Sequence, residues 1–373
     1  MEAPTGSGMP AVTAGGLLRS VGDWFKQPAL WVSLLAVLGA LLAGLVLVRL
    51  LGVSWSDAAL AFADGAWGSD YALAASLNRS LVLALVGMGF VLAQRANLTN
   101  VGGEGQIAVG GIAATAMALY GHVQGLPWGL SWVLPMLAAG LAGGLWGALA
   151  GVLKAKVGTN EVIATLLLSF IAVWMVYGSV QSEALLRQPM THSNTLPESL
   201  EIPDPTKLPL LTGDYSMPLH MGLPIGLVLA VVLAVVLQRT VLGLRLRAIG
   251  LNPVAARRAG MAVQTAVVGS LFAAGVFGGL AGACMLQGEQ YSLKAGFSSG
   301  YGFDGLVVGL LARGSVTGVV AGALLFGFLR SGGINMEMVA GVPTALVVVI
   351  QGLIIVVLAG AALAMERKRE GER

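Results

Sequence analysis

The chain has 373 residues, of which 56% are hydrophobic, only 10% are charged and 54 are glycine. A water-soluble domain of this size has no interior large enough for that much apolar surface, so the bilayer is the expected solvent. The net charge is only +3, with the basic residues gathered in a few loops, which argues against nucleic acid as a partner; the single cysteine, Cys284, excludes an internal disulfide and reads as packing.

The first apolar segment follows Arg19 and Lys26 and is long enough to cross a bilayer. No small-residue cleavage site follows it, so it reads as a retained span preceded by a cytoplasmic N-terminal segment, residues 1–28. Apolar stretches then recur near 29–50, 76–94, 104–120, 127–153, 160–181, 219–238, 264–287, 301–312, 315–330 and 342–364. The expected architecture is an all-α polytopic membrane protein of about ten transmembrane helices. Its permease domain covers 29–364, and a cytoplasmic tail covers 365–373. With the N-terminus inside, 15 of the 21 Lys and Arg residues fall on the cytoplasmic side and six, including Arg79 and Arg330, outside. That asymmetry places both termini in the cytoplasm. The outer loops are acidic or proline-rich: Asp57, Asp64 and Asp70 mark the first, and the longest, 182–218, carries Pro189, Pro197, Pro203, Pro205 and Pro209 before ending at Pro218.

Two internal matches relate the halves. Gly102-Gly103-Glu104-Gly105 resembles Gly302-Phe303-Asp304-Gly305, and the segment beginning at Gly158 more faintly resembles the one beginning at Gly341. Five spans per half is an odd number, so the halves would be inverted, as in many transporters. Glu104 and Asp304 each open an apolar segment between glycines. A carboxylate at membrane depth suggests a pathway or a pairing partner, because it is costly there; equally, it suits a helix N-terminus, where the dipole favours it. Asn97, Asn100 and Gln106 add polarity around Glu104, and Phe303 accompanies Asp304, so these six form the candidate substrate pathway. Asn160 and Glu161, after Lys154 and Lys156, read as a cap and a local ion pair. Arg313 and Gly314 separate two short apolar runs, predicting a tight hairpin or paired half-helices.

The inner loop 239–264 is the most basic, with Arg239, Arg245, Arg247, Arg257 and Arg258. It contains a short helix over 253–259 with both ends marked: Asn252 caps it, Pro253 suits the first position and Gly260 suits the left-handed exit. Arg247, Gly250, Asn252, Pro253, Ala255, Ala256, Arg257, Arg258 and Gly260 are the candidate contacts for a cytoplasmic partner. Small Ala255, Ala256 and Ala259 would permit close approach. No Gly-Lys dipeptide is present, hence no Walker-type phosphate loop, and His122, His192 and His220 are isolated. Neither catalytic residues nor a metal site is expected.

Several segments carry a family resemblance. Asn100-Val101-Gly102-Gly103-Glu104-Gly105-Gln106, Gly158-Thr159-Asn160-Glu161-Val162-Ile163, the coupling segment from Leu244 to Ala256, Gly300-Tyr301-Gly302-Phe303-Asp304-Gly305 and Gly341-Val342-Pro343 follow in order. Together they resemble permeases of bacterial ATP-binding-cassette importers for nucleosides, within a superfamily that also handles ribose, simple sugars and branched-chain amino acids. Val101, Gly103 and the stretch from Val308 to Gly314 depart from the family's usual residues. The resemblance implies a multi-pass subunit of the bacterial plasma membrane that carries a nucleoside, or alternatively a simple sugar such as ribose. It implies a second permease subunit, identical or not, an extracytoplasmic solute-binding protein, surrounding lipid, and a cytoplasmic ATPase that binds the ATP, so the chain itself needs no cofactor. An ion-coupled secondary carrier would share the repeats and carboxylates but would not need the capped helix. A membrane-embedded enzyme lacks its cluster of reactive groups.

Overall fold

A computed structural model describes residues 52–189 and 196–343 continuously, with scattered positions in 39–50 and 345–353. The chain divides into two units, Val53–Thr344 and a second made of Met1–Gly52 with Ala345–Arg373. The first and last expected spans, the two terminal segments and residues 190–195 of the long loop lie outside the continuously described residues. Every helix from Trp55 through Ala340 belongs to the larger unit, Val53–Thr344.

The described residues are helical, with isolated β-bridges and no strand. In order they form α1 (Trp55–Trp67), α2 (Asp70–Arg95), α3 (Gly103–Tyr120), α4 (Leu130–Val157), α5 (Glu161–Gln181) and α6 (Gly222–Arg239). Then come α7 (Val241–Leu251), α8 (Pro253–Arg258), α9 (Val263–Met285), a π-helical turn (Leu286–Gln290), α10 (Tyr301–Leu311) and α11 (Val316–Ala340). Among the described residues six helical segments are long and apolar enough to cross a membrane: α2, α4, α5, α6, α9 with its π turn, and α11.

α1 was not expected. Its sequence holds Asp57 and Asp64, which read as an acidic loop, yet Ala58, Ala61 and Ala66 make a small buried face. That face lies along α11, where Asn335 donates to the Ala61 carbonyl at 2.7 Å and Gly332 meets Phe62. Ser69 then caps α2, its hydroxyl accepting the Ala72 N–H at 3.1 Å, so α2 starts at Asp70, earlier than hydropathy suggested.

The tightest helix pair is α4 with α9. Gly143, Gly147 and Gly151 face Gly275, Leu271 and Val268, so close that a Cβ on Gly143 or Gly275 would overlap backbone of the other helix. Between helices in lipid such small residues let dispersion contacts do what water-driven burial does elsewhere. The opposite stripe of α4, Leu137, Leu141, Leu145 and Leu149, is exposed, as a lipid-facing surface would be.

α3 and α10 do not begin at an end of the bundle. Gly103 and Gly305 both pack on Val86, which lies roughly 14 Å along α2 from Arg95 and roughly 24 Å from Asp70 at 1.5 Å per residue. From this shared depth the two helices diverge. α3 runs past Gly278 and Gly282 of α9 to Tyr120, whose hydroxyl reaches the Leu185 carbonyl; α10 runs down α2 past Phe90 to Arg313. Arg313 (φ 49°) and Gly314 (φ 78°) then turn the chain into α11. Gly158 and Gly341, paired in the faint second repeat, end α4 and α11 in the same left-handed conformation (φ 77° and 66°).

Candidate functional site

Ala96, Asn97 and Leu98 close the last turn of α2 with N–H bonds to the Ala93 and Gln94 carbonyls, and the non-helical segment that follows leads back into the bundle to α3, with Leu98 and Asn100 buried. Non-helical backbone at such depth requires protein partners. Asn100 Oδ1 accepts the Gly102 N–H at 2.9 Å, and Thr165 Oγ1 accepts that of Val101 at 3.1 Å. Ser169 Oγ accepts the Gly105 N–H at 3.3 Å, and the Asn100 and Gln106 amides pair at 3.1 and 3.3 Å. Asn100 and Gln106 therefore serve to hold the break open.

Glu104, buried, extends across to the other helix start. Its Oε1 accepts the Gly300 N–H at 2.9 Å and its Oε2 the Gly302 N–H at 2.8 Å. These are N-terminal amides of α10 that have no intrahelical partner, and the carboxylate also meets the positive end of that helix. Glu104 thus acts as a helix-terminus charge, but for a helix nearly 200 residues downstream as well as its own. Asp304 pairs with Arg330 at 2.6 Å; Arg330 also donates to the Ser299 carbonyl at 2.7 Å and lies 3.8 Å above the Tyr301 ring. Of the six expected pathway residues, Glu104 and Asp304 open the paired helices and Asn100 and Gln106 support them. Phe303 is part-exposed beside Asp304, and Asn97 sits apart, exposed and left-handed (φ 58°) at the far end of the segment.

Hydropathy gave no reason to join the residues of a nearby cavity of about 520 Å³. Tyr71, Asn78 and Arg79 of α2, Glu289 of the π turn, Tyr301 of α10 and Arg330 of α11 line it, with Tyr215 and Tyr291 from connecting segments. Arg79 and Arg330, counted above on the outer side, lie within the membrane-length helices α2 and α11. Each has a carboxylate partner there: Glu289 lies 4.0 Å from Arg79, which also donates to the Ser331 hydroxyl at 2.7 Å, and Asp304 pairs with Arg330. The π turn matters because its extra residue re-aims the end of α9. Gln287 anchors it by donating to the Thr206 and Trp132 carbonyls, and Gly288 lies against His220.

The long loop is fastened to the same turn. Ser199, Ile202 and Leu208 donate backbone N–H groups to Leu293, Tyr291 and Gln287. Burial lowers the Lys207 pKa, but hydrogen bonds and ion pairs with Asp204 and Glu201 outweigh it and hold the ammonium above its ordinary value. Burial pushes the pKa of His220 down to about 4; its Nδ1 accepts the Gly222 N–H at 3.2 Å, as a neutral imidazole does. Among the described residues no group of three His, Cys, Asp or Glu forms a metal-ligand cluster.

At the other end of the bundle, Asn252 Oδ1 accepts the N–H groups of Val254 and Ala255 at 3.1 and 3.0 Å, and Gly260 (φ 81°) closes α8 as the caps predicted. Two things differ. The residues before it form a helix of their own, α7, whose Arg247 is exposed and whose Gly250 rests on the Arg95 carbonyl and Asn97 nitrogen, too close for a side chain. And Ala256 is no contact surface: it is buried with Ile249 and Val263, because it lies on the face of α8 that must rest on the bundle. The exposed side carries Leu251 (79% exposed), Val254 (61%), Ala255, Arg257 and Arg258. Lys154 and Glu161 pair at 2.5 Å nearby, and Asn160 caps α5.

The family described as branched-chain amino acid transport system / permease component matches residues 72–359. The chain belongs to that family. It is a multi-pass transport subunit of the plasma membrane. This permease is 35% identical over 349 residues (91% of the chain, 89% of the relative) to the glucose ABC transporter permease protein TsgB13 of Haloferax volcanii. It is 33% identical over 333 residues (89% and 93%) to the guanosine ABC transporter permease protein NupP of Bacillus subtilis. It is 28% identical over 337 residues (88% and 90%) to the nucleoside ABC transporter permease protein NupB of Lactococcus lactis. No solved structure matches the permease significantly.

Proposed function

We propose that this permease forms, with a second permease subunit, the membrane pathway of an ATP-driven nucleoside importer. Likeness to the guanosine permease across nearly the whole of both chains is the observation that carries the substrate. A second reading, a hexose importer, is favoured by the glucose permease of similar identity. The two ligand classes share a hydroxylated ring and differ in the aromatic base.

In this reading the chain has ten spans in two inverted five-helix halves with both termini cytoplasmic. The shared origin and opposite courses of α3 and α10 support the inversion, since a twofold axis in the membrane plane would generate such a pair. α7 and α8 dock on a cytoplasmic ATPase, which binds the ATP, and a solute-binding protein delivers substrate from outside. A six-residue helix is unstable alone, and its exposed Val254, Arg257 and Arg258, with Leu251 at the end of α7, offer a cleft both apolar contact and charge. Motion imposed on α7 has a packed route inward: Gly250 bears on the Arg95–Asn97 turn, the following segment leads to Glu104, and Glu104 grips the start of α10. Membrane carboxylates thereby act as joints between halves.

Reconstitution of the complete importer tests this. Labelled guanosine should accumulate in an ATP-dependent manner and compete poorly with glucose, and an ATPase should co-purify with the permease. Uptake of glucose but not guanosine would overturn the nucleoside reading, and ion-driven uptake without an ATPase would overturn both.

A further inference from the structure

The cavity between α2, the π turn, α10 and α11 holds acceptors that the described residues do not use. Asn78, 2% exposed, donates its amide to the Pro218 carbonyl at 2.8 Å, and its Oδ1 has no partner among them. Glu289 has the 4.0 Å ion pair with Arg79 and, among the described residues, no hydrogen bond. A buried amide oxygen without a partner points to a ligand that brings a donor, and Glu289 on the same wall, part-exposed to the cavity and held by a 4.0 Å ion pair, has oxygen capacity left to accept further donors. Each cation has a carboxylate partner within the wall: Glu289 for Arg79, Asp304 for Arg330. A phosphate or carboxylate would therefore have to displace a carboxylate, whereas a neutral ligand fits the charges as they stand. Four tyrosine rings, Tyr71, Tyr215, Tyr291 and Tyr301, supply flat apolar surface, and the volume of about 520 Å³ suits a small organic molecule.

We infer that this cavity is a nucleoside-binding station of the permease, in which Glu289 accepts the paired ribose hydroxyls, Asn78 accepts a further ligand donor and the tyrosines hold the base. A vicinal diol matches a carboxylate because two O–H donors meet two oxygens; an aromatic base, which a simple sugar lacks, explains the rings. The assignment rests on the nucleoside reading above and adds to it a place and a set of contacts within the membrane subunit.

The test must exclude the selectivity of the solute-binding protein. The complete membrane complex, with its ATPase and second permease subunit but without the binding protein, is placed in lipid nanodiscs and titrated with tritiated guanosine and with 2′,3′-dideoxyguanosine. Guanosine should bind saturably and at least about tenfold more tightly than the dideoxy compound. Glu289→Gln should weaken guanosine about tenfold while leaving dideoxyguanosine nearly unchanged, so that the ratio collapses. A folding defect would weaken both alike, so Tyr71→Ala, at a 61% exposed mouth position, serves as a second variant that should weaken both ligands without altering the ratio. An unchanged ratio in Glu289→Gln, or no saturable guanosine binding to a complex that imports guanosine when its binding protein is added, overturns the station and leaves the nucleoside reading standing. A complex that imports glucose and not guanosine overturns both.

Discussion

Gly302 lies flush against the backbone of Glu104: a Cβ on Gly302 would overlap the Glu104 amide nitrogen, while Oε2 of Glu104 accepts the Gly302 N–H at 2.8 Å. Two helix starts thus share one point inside the membrane region, each with its positive dipole end there, and one carboxylate serves both. The glycine is needed for approach and the acid for charge and acceptors, so each motif explains the composition of the other.

Replacing Glu104 by Gln removes one of the two acceptor oxygens and places an amide N–H against a backbone N–H. The expected cost is about 1.5–3 kcal/mol in stability, the range for hydrogen bonds to charged groups. Gly302→Ala should be worse, because backbone rather than a flexible side chain must move. Thermal unfolding of the purified complex measures both; a Gly302→Ala protein as stable as wild type would show that the two helix starts are not in contact.

If α8 docks on an ATPase as proposed, its two faces should behave oppositely. Val254→Glu alters an exposed face, so membrane insertion and thermal stability should persist while the co-purifying ATPase is lost. Ala256→Glu buries a charge against Ile249 and Val263 and should lower stability itself. An ATPase retained at wild-type level by Val254→Glu would remove α8 from the coupling interface.

The loop anchor predicts a pH dependence. His220 titrates near 4 when folded and near 6.5 when unfolded, so between those values the unfolded chain binds the extra proton. Its contribution is therefore complete above pH 6.5 and is lost as pH falls toward 4, by up to about 3 kcal/mol. His220→Asn keeps an acceptor for the Gly222 N–H without the titration, and should flatten the melting-temperature profile between pH 6.5 and 4. An equally steep profile in that variant would assign the acid sensitivity elsewhere.

Sidedness can be read chemically. In a Cys284→Ala background, a cysteine at exposed Glu201 should react with an impermeant thiol reagent from outside intact cells, and one at exposed Ala255 only after the inner face is opened. Labelling of both from one side would refute a topology in which the long loop and α8 lie on opposite faces.

What the sequence determined by itself was local. Runs of apolar residues announce helices of membrane length, and the Asn252, Pro253 and Gly260 punctuation announces α8, because hydropathy and capping depend on neighbours a few positions away. The likeness of the Glu104 and Asp304 motifs was visible too. Only packing decided their meaning. Glu104 finds its partners 196 and 198 residues on, and the cavity draws on residues from Tyr71 to Ile334. Arg79 and Arg330 read only as charges on the outer side because hydropathy penalises an arginine whatever its partner, and only the folded bundle supplies Glu289 and Asp304. α1 was missed since its small alanine face becomes apolar burial only against α11, and Ala256 was misassigned because a six-residue helix does not announce which side faces its own bundle. Long-range contacts of this kind carry no short-range signal, so the tertiary structure alone could place them.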